Sequence, residues 1–165
     1  MKGTTRSKIY LPMAALILTA ALAAPAAAQQ QVPFKGAMQG NDVDTPGPSP
    51  GTVVVTTSGT GVATHLGQFS FTQQATVNLV AKTSAGSAHW VAANGDSIDT
   101  TLTGSVELTA TPGVFSFTEV HTITGGTGRF AGAQGSFIVE RLASGVTFSS
   151  SGSFHGTITS PGAAR

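Results

Sequence analysis

The chain has 165 residues, eight lysines and arginines against seven acids for a formal charge of +1, and no cysteine. Only 9% of its residues are charged, and the basic ones form no stripe of the kind that nucleic acid or an anionic membrane surface demands. Without cysteine there is no disulfide and no thiolate metal site, so the core has to hold the protein together unaided.

Residues 1–28 differ from the rest. Lys2, Arg6 and Lys8 precede an apolar run from Leu11 to Ala24 that is short for a membrane span, and small residues at Ala26 and Ala28 follow it. The pattern predicts a secretory signal peptide cut after Ala28, and hence a secreted or periplasmic protein; with no cysteine after the run, lipid attachment there is excluded. Its removal leaves five basic residues against seven acids, a net charge of −2, on a single domain spanning 29–165.

Beyond that point Gly, Thr, Ser, Ala and Val dominate, and apolar residues recur every second position. The clearest strand runs from Ile98, with Ile98, Thr100, Leu102, Gly104, Val106 and Leu108 on one face and Thr101, Thr103, Ser105 and Glu107 on the other. A second runs from Val146 to Ile158, with Val146, Phe148, Ser150, Phe154 and Ile158 sharing a face. Weaker strands are predicted at 33–39, 52–58, 67–81, 86–93, 114–123 and 135–142, eight in all. "NDVDTPGPSPG" (41–51), with three prolines, reads as a loop, and Asn94-Gly95, Pro112-Gly113 and Ser144-Gly145 read as turns. The last residues, "SPGAAR", read as a frayed tail.

Between two of these strands lies "GGTGRFAGAQGSF" (125–137), with Gly125, Gly126, Gly128, Gly132 and Gly135. Eight short strands with one apolar face either pair into a sandwich or close into a barrel. Closure removes exposed edges but needs sharp corners, where glycine supplies positive φ and lets backbones approach; Phe130 and Phe137 would then plug the gap. "GTGVATHLGQF" (59–69) echoes the same pattern and suggests a repeated corner.

For chemistry, "VFSFTEVHTI" places Phe115, Phe117, Glu119, His121 and Ile123 on one face. If the aromatics point inward, Glu119 and His121 go with them, and a buried carboxylate and imidazole can trade a proton or orient a polar ligand group. The orientation of this strand therefore decides whether any catalytic chemistry is available. The sole tryptophan, Trp90, is a candidate cap on a cavity mouth, with Phe115 and Phe117 as further ligand contacts. His65, His89 and His155 are scattered without metal-ligand spacing, so no metal is expected, and neither a nucleophile motif nor a completed phosphate loop is present. Aromatic girdles are missing too, which argues against an outer-membrane barrel.

"ITGGTGRFAGAQGSF", with "GTGVATHLGQF" and the turn "AANGD", resembles the allene oxide cyclase and dirigent barrel superfamily, in particular its exported bacterial members, over residues 34–159. The resemblance implies an all-β fold, an eight-stranded antiparallel β-barrel with a central apolar cavity, and trimers like those of the plant members. Plant cyclases steer an unstable epoxide to a cyclic product and dirigent proteins guide phenoxy radical coupling, but the cavity residues that do so have no matching positions here. The expectation is an exported soluble barrel, without cofactor, that binds a small hydrophobic ligand in its lumen. The alternatives are an isomerase or cyclase-like enzyme using Glu119 and His121, and a structural module of the cell envelope.

Overall fold

A computed structural model describes residues 30–159 and residue 161; the predicted signal peptide and most of the tail "SPGAAR" lie outside the described residues. Eight strands follow one another: β1 Gln31–Pro46, β2 Thr52–Ala63, β3 Gly67–Asn78, β4 Thr83–Ala92, β5 Ser97–Leu108, β6 Val114–Gly126, β7 Gly135–Ser144 and β8 Ser149–Thr159. Each pairs antiparallel with the next, and β8 returns to β1 over Gln31–Asn41, so the sheet closes into a barrel with no free edge. Among the described residues no helix is long and apolar enough to cross a membrane.

Two expected boundaries are corrected. Segment 41–46, read as loop, continues β1, because Asn41 to Pro46 pair with Ser58 to Val53 of β2. Pro46 is tolerated there as the final residue, where a missing N–H breaks little of the ladder. β8 begins only at Ser149, and Val146 and Phe148, expected on its inner face, belong instead to the preceding turn and are exposed.

Alternation sorts side chains to the two surfaces. The outer wall of β5 presents Asp99, Thr101, Thr103, Ser105 and Glu107, while Ile98, Thr100, Leu102 and Val106 are buried in the lumen. On this strand the arrangement is the reverse of that in a lipid-facing barrel, whose outside is apolar, although Val62, Val120 and Leu142 are exposed on other strands.

Large inward side chains lie beside inward glycines on the neighbouring strand. Gly36 pairs with Phe154, Gly61 with Phe69, Gly59 with Phe71 and Gly156 with Phe137. A Cβ at Gly36 would stand 2.6 Å from the tip of the Phe154 ring, so glycine there makes room for the aromatic that fills the lumen.

The lumen is layered. Around the start of β1, the end of β8 and the loops after β2, β4 and β6, a dense cluster of Phe34, Phe69, Phe71, Trp90, Phe137 and Phe154 closes one end. Around the loops after β1, β3, β5 and β7, a smaller cluster of Val55, Val77, Val106, Phe117 and Ala143 lines the other. We call these the closed end and the mouth.

The glycine-rich corner lies at the closed end. Phe130 is fully buried there in a single 3-10 turn, Gly128–Phe130, and Phe137 is buried in the same cluster. Gly128, Gly132 and Gly135 have positive φ (57°, 71° and 141°), and a side chain at Gly128 would also run into Asp96. Gly125 is different: its φ is not positive and a Cβ would meet open space, so the corner does not require it. The echo segment 59–69 also turns at this end and buries Leu66 as Phe130 is buried, though by a tight turn through His65 rather than a 3-10 turn.

Candidate functional site

On β6 the inward positions are Phe115, Phe117, Glu119, His121 and Ile123, and Glu119 and His121 are both 0% exposed. Both residues therefore face the lumen, yet each is held by its own partners.

Glu119 is level with Gly104 of β5, whose missing side chain leaves space for it. Arg141, inward from β7 beside Gly152 of β8, brings its Nε to 3.1 Å from Glu119 Oε2. From across the lumen Gln73 Nε2 donates to Oε2 at 3.2 Å and Ser84 Oγ donates to Oε1 at 3.2 Å. Burial alone would push the Glu119 carboxyl up. The Arg141 charge and hydrogen bond, helped by Gln73, overcome this and hold it below its ordinary value. Glu119 is thus an ionised carboxylate in a saturated network, a poor proton acceptor.

His121 lies one layer nearer the closed end. Its ring stacks on Phe137 with centroids 5.0 Å apart and meets Trp90 edge-on at 5.6 Å. Nδ1 is 3.1 Å from Thr100 Oγ1, which also accepts the Trp90 Nε1–H at 3.2 Å. Burial pushes the imidazole pKa down to about 4, Arg141 adding to the effect and Glu119 opposing it, so the ring is neutral at physiological pH.

Trp90, a candidate cap on a cavity mouth, sits in the aromatic cluster stacked on Phe71 at 5.2 Å; its cross-strand neighbours and Thr100 hold it as core. Phe115 and Phe117 do line a cavity, one of about 130 Å³ at the mouth, walled also by Val55, Val77 and Val106. Neither Glu119 nor His121 borders it, and the glycines of the corner lie at the opposite end.

The polar groups of this cavity are ones that sequence reasoning missed. Arg141 borders it with its guanidinium 4.0 Å over the Phe117 ring. Asp42 borders it too, accepting from Thr57 Oγ1 at 2.6 Å and from Ser150 Oγ at 3.3 Å. Asp44 stands at the rim, its carboxyl pushed up by burial and by Asp42, against a smaller downward pull from Arg141. The alternation Phe137, Val139, Arg141, Ala143 would have exposed Arg141 as inward; Asp42 was hidden by reading its segment as loop.

Elsewhere, a wider depression of about 1060 Å³ on the outer wall is bordered by Ala37, Gln39, Thr60, Gln68 and Ser70 and by no charged side chain. His89 is on the outer wall, 2.7 Å from Asp99. Among the described residues no three His, Cys, Asp or Glu side chains gather to hold a metal ion. The chain matches no protein-family model, no curated protein and no solved structure.

Proposed function

We propose that this chain is an exported barrel of the allene oxide cyclase and dirigent kind that binds a small apolar molecule without transforming it. The observation that carries this reading is the mouth cavity: apolar walls with a few convergent polar groups, at one end of a lumen otherwise filled by aromatic side chains. A purely structural envelope module would have no use for such a recess.

Native mass spectrometry of protein purified from its host, followed by denaturation and extraction, tests the reading. A small apolar molecule released on denaturation, and missing from a V106W variant whose indole fills the cavity, is the expected result. Protein that emerges empty and binds no apolar probe would overturn it.

A cyclase-like reading draws on one observation, the inward orientation of Glu119 and His121. It would require the cavity to deepen past Arg141 before substrate met either group. Unchanged turnover of an extracted ligand in E119Q and H121A variants would remove it.

A further inference from the structure

We infer that the mouth cavity selects an uncharged apolar molecule bearing a hydrogen-bond acceptor beside a donor, an amide or lactam being the simplest such group. This deepens the binding role proposed above and rests on it.

Of the polar side chains that interrupt the apolar lining, Arg141 and Asp42 have unused capacity. Arg141 is 3% exposed and its Nε is committed to Glu119, but Nη1 and Nη2 are buried without any hydrogen-bond partner. Buried guanidinium N–H groups left unpaired are costly, and an acceptor oxygen entering the cavity relieves that cost. Asp42 is in the converse position. Thr57 and Ser150 both donate to Oδ1, leaving Oδ2 for a donor supplied by a ligand.

The charges then exclude ions. Glu119 already balances Arg141, while Asp42 and Asp44 add negative charge at the same cavity, so a carboxylate ligand meets repulsion. An ammonium satisfies the carboxylates but offers no acceptor to the Nη groups and faces the guanidinium charge. A neutral group carrying C=O beside N–H satisfies both sides, the oxygen accepting from Arg141 and the nitrogen donating to Asp42. At about 130 Å³ the space suits one six-membered ring, close to the size of an apolar cavity that admits benzene.

The test titrates the purified protein with benzene, benzamide, benzoate and benzylammonium, following the methyl resonances of Val77 and Val106. Benzamide is expected to bind at least tenfold more tightly than benzene, and both ions more weakly than benzamide. If benzene binds as tightly as benzamide, or either ion binds best, the selectivity is refuted while the apolar binding role survives. If no probe binds, both are refuted. A D42N variant keeps an oxygen for Thr57 and Ser150 but puts a donor in place of the free acceptor. Its benzamide-to-benzene affinity ratio, which cancels any general loss of fold, should fall at least fivefold. R141K, which retains a charge for Glu119, should lower the same ratio, and an unchanged ratio in both variants refutes the assignment.

Discussion

Replacing Glu119 by alanine would leave the Arg141 guanidinium buried without its counter-charge, and about 3–5 kcal/mol of stability should go with it. Removing both charges, as in E119L/R141M, should cost much less, because the desolvation of the pair disappears along with its attraction. Urea unfolding followed by Trp90 fluorescence distinguishes these outcomes; equal losses in the single and double variants would show that the ion pair is not the source. His121 produces a separate pH effect. The folded chain leaves it unprotonated down to about pH 4, whereas the unfolded chain takes up a proton near pH 6.5. Acidification through that window therefore favours the unfolded chain, by about 3 kcal/mol at its lower end. The Glu119 contribution, from a carboxyl held low, is lost only at more acidic pH as its folded value is crossed. H121F, which keeps the stack on Phe137, should lose less stability between pH 7 and pH 4.5 than the parent; parallel losses would refute the role of His121.

At the scale of elements, the turn between β7 and β8 departs most from what its residues predict. Alternation alone carries β8 back to Val146, yet Phe148 sits in the turn with φ 52°, 47% exposed and bordering the cavity. A left-handed conformation costs an aromatic L-residue about 1–2 kcal/mol, and little packing offsets it here. F148G should therefore raise the stability by up to about 1 kcal/mol, after glycine's own entropy is counted, while weakening apolar ligands at the cavity. Thermal unfolding and probe titration of the same variant check both halves, and a drop in stability would show that the ring contributes more as packing than the backbone loses. The extension of β1 makes the complementary point. Proline and turn-forming residues argue for a loop over 41–51, but eleven paired positions with β2 carry the strand to Pro46 and bring Asp42 inside.

For the molecule as a whole, the two ends of the barrel differ. The closed end buries Leu66 and Phe130 in its loops, whereas the mouth leaves Leu79, Val80, Leu108, Val146 and Phe148 exposed around the cavity. The wall between them depends on the β1–β8 seam, which no local signal announces. Deleting residues 149–165 should leave β1 and β7 as unpaired edges, so that the product aggregates or elutes as large oligomers in size-exclusion chromatography. A monomeric, folded truncation would mean that closure is dispensable.

Period-two alternation, glycine-rich turns and the scarcity of charge are properties of neighbouring residues. They were enough to read the all-β class, most strand positions, the plugged corner and the sharing of one face by Glu119 and His121, but that this face is the inner one was decided by the structure. Register, by contrast, is set by the whole ring of strands, and it alone brings Arg141 from β7, Gln73 from β3 and Ser84 from β4 onto one carboxylate. Whether the lumen is filled or hollow at a given height depends on side-chain volumes summed over all eight strands. For that reason the mouth cavity, and the placing of Trp90 in the core rather than at its rim, were decided only by the tertiary structure.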